Sequence, residues 1–106
     1  MAQQEPIKCG GWSQPPRKAD AEVQKICDQV KKAVEDRINS PELTMFTALD
    51  YITQVVAGVN YRIRVQINNV CVIRIQVFQA PLLSGKQAPP ELTDVANDGP
   101  LNDKPF

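Results

Sequence analysis

The sequence predicts an α+β domain in which an antiparallel β-sheet of four to five strands wraps around one amphipathic α-helix. Three observations carry that expectation. One stretch has helical apolar spacing, three later runs have strand character and are separated by turn signals, and the 106 residues suit a single domain with one modest core. Leu, Ile, Val and Phe supply 28 of those residues, above the level of about a fifth below which chains tend to stay disordered, so a packed fold is expected.

Residues 1–19 hold Pro6, Gly10, Gly11, Pro15 and Pro16 with few apolar side chains, a composition that predicts an extended, mobile trunk outside the core. Over 20–38 the apolar residues Val23, Ile26, Cys27, Val30, Val34 and Ile38 recur at helical spacing. Lys25, Asp28, Lys32, Glu35 and Asp36 are left for the solvated side. Asp20 is the expected N-cap, and Asn39-Ser40-Pro41 the expected stop, because proline disfavours helix at the residue before it.

Strand-like runs then cover 43–55, 59–67 and 70–79, each rich in β-branched or aromatic residues. The second alternates most clearly: Val59, Tyr61, Ile63, Val65 and Ile67 share one face, and Asn60, Arg62, Arg64 and Gln66 the other. That pattern predicts a buried side covered by the helix and a wet side. Ala57-Gly58 permits a sharp turn between the first two strands, and Asn68-Asn69, which tolerates positive φ, a tight turn between the next two. Beyond Gln79 the chain is polar and proline-rich, with 80–106 read as a second loop followed by a C-terminal strand and tail, the strand being a short edge over 91–96.

Composition excludes several function classes. Lys plus Arg and Asp plus Glu number 12 each, so no charge excess draws the chain to nucleic acid or to an anionic membrane. The chain has no histidine, which removes Ser/His and Cys/His nucleophile pairs and the commonest metal ligand. The carboxylates are scattered, with Glu35 and Asp36 on the solvated helical face, and no phosphate-cradling glycine loop is present. No enzyme, metal or cofactor is therefore expected. Cys9, Cys27 and Cys71 lack the paired spacings of zinc or dithiol sites and read as free thiols, with Cys27 and Cys71 as small buried hydrophobes. Cys9, on the trunk, is left either reactive or paired between chains. With no basic start followed by an apolar run at the N-terminus, the expectation is a soluble, cytoplasmic protein.

Two loops stand out as presented outward. In Gln54-Val55-Val56-Ala57-Gly58, two strongly apolar residues at a hairpin apex would invite a partner; a β-bulge or a continuous core strand is the competing reading. In Cys9-Gly10-Gly11, the missing side chains let backbone lie close against another surface, or simply make a flexible linker.

The run Gln54-Val55-Val56-Ala57-Gly58 followed by Val59-Asn60-Tyr61-Arg62-Ile63-Arg64-Val65 resembles the first-hairpin signature of cystatins. The preceding helix, the Val77-Phe78-Gln79 segment and the terminal Phe106 are similar to the stefin, or type 1, branch. The lack of a disulfide framework agrees with that branch rather than with the secreted one.

The resemblance implies a cystatin-like fold and reversible inhibition of papain-like, cathepsin-type cysteine proteases by a three-part wedge. Gly10, with Gly11 as a second candidate, would let Ile7, Lys8 and Cys9 lie along the non-primed subsites of the protease. Gln54, Val55, Val56, Ala57 and Gly58 would form the central hairpin that blocks access to the catalytic cysteine. The second loop departs from the family pattern: stefins carry a leucine-proline pair, whereas this chain reads Ala80-Pro81-Leu82-Leu83, so Pro81 and Leu82 take the role. A monomer is expected, with a dimer formed by strand exchange through the first hairpin as the alternative. A second alternative is a binding module of the same fold without inhibitory activity.

Overall fold

In the computed structural model, which describes residues 11–13, 15–82 and 85–100, the helical periodicity gives one helix, α1, over Ala21–Arg37. Asp20 caps it as expected, its Oδ1 accepting from the Val23 N–H at 2.9 Å. The stop works differently from the proline signal. Asn39 takes φ 54°, its N–H donates to the Asp36 carbonyl at 3.3 Å, and the Ser40 N–H donates to the Glu35 carbonyl at 2.9 Å. This is a Schellman ending, closed by a residue type that tolerates the left-handed region, before Pro41 is reached.

Glu35 corrects the expected solvated face: it is only 8% exposed. Its Oε2 accepts from the Leu43 N–H at 2.7 Å and lies 3.5 Å from Lys31 Nζ, tying the helix to the loop that follows. That bond also explains why the first long strand starts later than residue 43. Gln24 adds a second tether, with Nε2 donating to the Phe46 carbonyl and Oε1 accepting from the Ala48 N–H, both at 2.9 Å. The helix thus occupies backbone groups just ahead of the strand and at its second residue that a neighbouring strand would otherwise pair.

Among the described residues the sheet has five strands: β1 Arg17–Lys18, β2 Thr47–Val56, β3 Gly58–Gln66, β4 Cys71–Gln79 and β5 Glu91–Pro100. They lie in the order β1-β2-β3-β4-β5, antiparallel throughout. The trunk expectation is corrected at its C-terminal part. Arg17 and Lys18 pair with Tyr51 and Asp50, and Ala19 packs on the core. Pro15 lies at a bend and Pro16 just ahead of β1, so neither proline takes a donor from the paired residues.

One core lies between α1 and the sheet. Val23, Cys27, Val30 and Val34 meet Ile63, Val65, Ile73, Ile75 and Val77, with Phe46, Ala48 and Tyr51 closing one side. Cys27 is fully buried; burial, helped by Asp28, pushes its thiol up to about 12. Cys71 is only half-buried, at the first position of β4, which corrects its assignment as a core residue. Both are free thiols.

The face opposite the helix is not uniformly wet. Arg64, expected there as a solvated residue, is 3% exposed, with Nε and Nη2 donating to Asp50 Oδ1 and Oδ2 at 2.8 and 2.7 Å. The turn between β3 and β4 also differs from expectation. Neither Asn68 nor Asn69 has positive φ; Asn68 Oδ1 instead accepts from the Val70 and Cys71 N–H groups, both at 2.8 Å. The final strand is longer than 91–96 and irregular, with register breaks opposite Val72/Ile73 and Gln76/Val77.

The Leu43 N–H bond, assisted by Lys31 and opposed by desolvation, holds the Glu35 carboxyl below its ordinary value of 4.5. The folded state therefore binds this proton less tightly than the unfolded chain. Its contribution to stability is present above the ordinary value and lost as pH falls through the lowered one. Replacing Glu35 with glutamine is expected to flatten that part of the acid limb in urea-unfolding curves recorded between pH 5 and 3; a wild-type slope in E35Q would assign the limb to other carboxylates.

Candidate functional site

The pairing register gathers separate parts of the chain at one end of the sheet. Trp12 lies opposite Gln54, Gln54 opposite Asn60, Asn60 opposite Phe78, and Phe78 opposite Glu91. Beyond this row, at the same pole, stand Gly11, the turn from Val55 to Val59 and the loop that joins β4 to β5.

The turn between β2 and β3 is as tight as the sequence suggests. Val56 pairs with Gly58, leaving Ala57 at the apex. Gly58 has φ 125°, and a Cβ placed on it would stand 2.7 Å from the Gln79 carbonyl oxygen and 2.8 Å from two ring carbons of Phe78. Both the backbone conformation and the space beneath it therefore require glycine. Behind the apex, Asn60 Nδ2 donates to Gln54 Oε1 at 3.0 Å across the hairpin. Val55 is 68% exposed, Val56 is half-buried and Ala57 is exposed, so the hairpin reading holds over the continuous core strand.

The β4–β5 loop is braced by two amides. Gln79 Nε2 donates to the Ala88 carbonyl at 2.7 Å and Gln87 Nε2 to the Ala80 carbonyl at 3.0 Å. Between these braces Pro81 is exposed and Leu82 is 60% exposed. One other described large hydrophobic residue is comparably exposed, Val70 at 64%, and it sits in the β3–β4 turn at the opposite pole.

Of the expected trunk residues, Ile7, Lys8, Cys9 and Gly10 lie outside the described residues. Gly11 is exposed, and a Cβ there would meet none of the described residues within 4 Å. The next residues are held firmly. The Ser13 N–H donates to the Thr53 carbonyl at 2.7 Å, the Thr53 N–H donates to Ser13 Oγ at 2.9 Å, and the Arg62 guanidinium carbon stands 4.1 Å over the Trp12 ring.

Trp12, Ser13 and Phe78 are not among the site residues expected from the sequence, although Phe78 belongs to a segment that carries the resemblance. A lone tryptophan directly after Gly10-Gly11, in an otherwise polar segment, was the available signal for the first. The roles of Ser13 and Phe78 depend on register and have no sequence signature.

None of the described residues at this pole suits catalysis. Tyr61, one row back, has its phenol pushed above the usual range by burial and by nearby Tyr51, Glu22 and Asp20, which keeps it protonated. Among the described residues no cluster of acidic or cysteine side chains could hold a metal, and no helix is long and apolar enough to cross a membrane.

A family model described as the cystatin domain matches residues 10–96, a span that includes α1, all the hairpins and most of β5. The chain belongs to the cystatin family. Its relatives place this cystatin in the stefin branch. It is 47% identical to Cystatin-A of Mus musculus over 70 residues, covering 66% of this chain and 69% of that protein. It is 41% identical to Stefin-C of Bos taurus over 71 residues, covering 67% and 68%. It is 38% identical to Leukocyte cysteine proteinase inhibitor 1 of Sus scrofa over 76 residues, covering 72% of each.

Proposed function

We propose that this cystatin is a reversible, tight-binding, non-covalent inhibitor of papain-like cysteine proteases, which occludes the active-site cleft with one pole of its sheet. The observation that carries the reading is the gathering of the trunk exit at Gly11, the Val55–Ala57 apex and the Pro81-Leu82 loop beyond a single row of paired residues, with Val55 and Leu82 both exposed. Apolar side chains presented on a braced edge lose little conformational entropy on docking and supply the desolvated contact that dominates interface energy. The preformed hairpin makes this a rigid plug, and no covalent step is needed. Free thiols at Cys27 and Cys71 suit a reducing compartment and support cytoplasmic residence.

The test is a titration of active papain with the purified, reduced protein, following hydrolysis of a small fluorogenic substrate. Complete, reversible loss of activity near equimolar ratio is expected. A folded sample that leaves papain and related proteases active would make the chain a binding module of the same fold. Deleting residues 1–10 is expected to weaken binding chiefly through faster dissociation, because the hairpin still docks while trunk contacts are lost. Stopped-flow traces with an unchanged off-rate would remove the trunk from the interface.

A further inference from the structure

We infer that Trp12, clamped between the edge of β2 and the Arg62 guanidinium, is the positioning residue that fixes where the trunk leaves the sheet and hence how residues 1–10 reach the protease. The inference rests on the inhibitor reading above and assigns a role to two residues which that reading does not use.

The trunk is fastened to β2 at two places. Near β1, Arg17 and Lys18 pair with Tyr51 and Asp50; near the functional pole, Trp12 lies opposite Gln54 and Ser13 exchanges bonds with Thr53. Between Trp12 and Arg17 the trunk spends five residue steps against three on β2 from Gln54 to Tyr51. The chain therefore bows away from the edge around Pro15 and is brought back at Ser13. Without the second fastening, the trunk would swing from β1, well behind the apex.

The bonds at Ser13 fix position along the edge, and the indole fixes direction. Arg62 lies on the face of β3 turned away from α1, across from Ile52 and Gln76. Its Nε donates to Gln76 Oε1 at 3.1 Å, which steadies the guanidinium from the β4 side while its carbon stands 4.1 Å over the Trp12 ring. A planar cation over an indole face is the strongest of the common cation–π pairs. A ring held on that face sends Gly11 out past the Gln54 row, on the side where the hairpin apex stands. Gly11, with open space around it, imposes no direction of its own. Fixing the exit point reduces the freedom that the trunk must lose on binding.

The experiment compares R62Q, W12A, W12F and the W12A/R62Q double variant of the full chain for dissociation from papain, with intrinsic fluorescence of the chain's one tryptophan as a second readout. R62Q and W12A are expected to raise the off-rate about five- to tenfold, with the on-rate and thermal midpoint little changed. The double variant is expected to be no worse than either single one, and W12F, which keeps an aromatic face, to stay within about twofold of wild type. In R62Q the Trp12 emission should shift to the red and become more open to acrylamide. A purely structural role would lower the thermal midpoint and would not be rescued by phenylalanine. If W12A fails to fold, R62Q alone decides. Wild-type off-rates in R62Q, against a wild type that does inhibit papain, overturn the inference and leave the proposed function intact. A wild type that fails to inhibit overturns the proposed function, and this inference with it.

Discussion

Replacing Gly58 with glutamate is expected to raise the inhibition constant against papain by about a hundredfold or more while leaving the helix and most of the sheet in place. Two costs add at this position. At φ 125° any L side chain is strained, by about 1–3 kcal/mol. The new Cβ would also stand 2.7 Å from the Gln79 carbonyl oxygen and 2.8 Å from the Phe78 ring. Backbone cannot be relieved by a rotamer change, so the turn must lift off β4 and carry Val55, Val56 and Ala57 with it. About 2.7 kcal/mol of lost docking corresponds to a hundredfold. Alanine shares the Cβ and the strain but lacks the long charged tail, so G58A should fall between wild type and G58E. Inhibition assays paired with far-UV circular dichroism make the check. A folded G58E with a native inhibition constant would take the central hairpin out of the interface.

The same residue shows what sequence could and could not convey. Gly58 after Ala57 announces a tight turn, and alternation from Val59 to Ile67 announces a strand, because both are local and need no knowledge of neighbours. Helix α1 was legible for the same reason, through Asp20 at one end and a 3.6-residue apolar stripe. The helix stop and the β3–β4 turn differ through local hydrogen bonds, whereas the misreadings of burial involve partners beyond the local window. Glu35 looks like a solvated helical residue until the Leu43 N–H arrives, and Arg64 looks like a wet-face residue until Asp50 is seen opposite it. Phe78 lies beneath Gly58 only because Val59 is in register with Gln79. At the site, the hairpin and the second loop could be read from their composition, whereas the Trp12–Arg62 contact depends on how the trunk folds back along β2.

Asp50 carries the second large effect, on stability rather than inhibition. The register break in β2 leaves Leu49 as the extra residue between Ala48, opposite Val65, and Asp50, opposite Arg64. Were the pairing to run on without the bulge, Leu49 would face the guanidinium, so the bulge sets a carboxylate where the charge requires one. Both Asp50 oxygens accept from Arg64, in the paired geometry that gives arginine–carboxylate contacts their strength. A buried pair of this kind adds little over a well-packed apolar pair, but removing the carboxylate takes two charge-assisted bonds from a buried guanidinium, at about 3 kcal/mol or more. D50A is therefore expected to lose about that much in urea unfolding and more than about 10 °C in thermal midpoint. D50N, which keeps one acceptor, should lose less. The pair lies four residues behind Gln54 along β2, about 13 Å from the functional pole. The fraction of D50A that remains folded should thus inhibit papain as wild type does, the reverse of G58E, which keeps its fold and loses its target. A D50A variant within about 1 kcal/mol of wild type would show that Arg64 is held by its surroundings without the carboxylate.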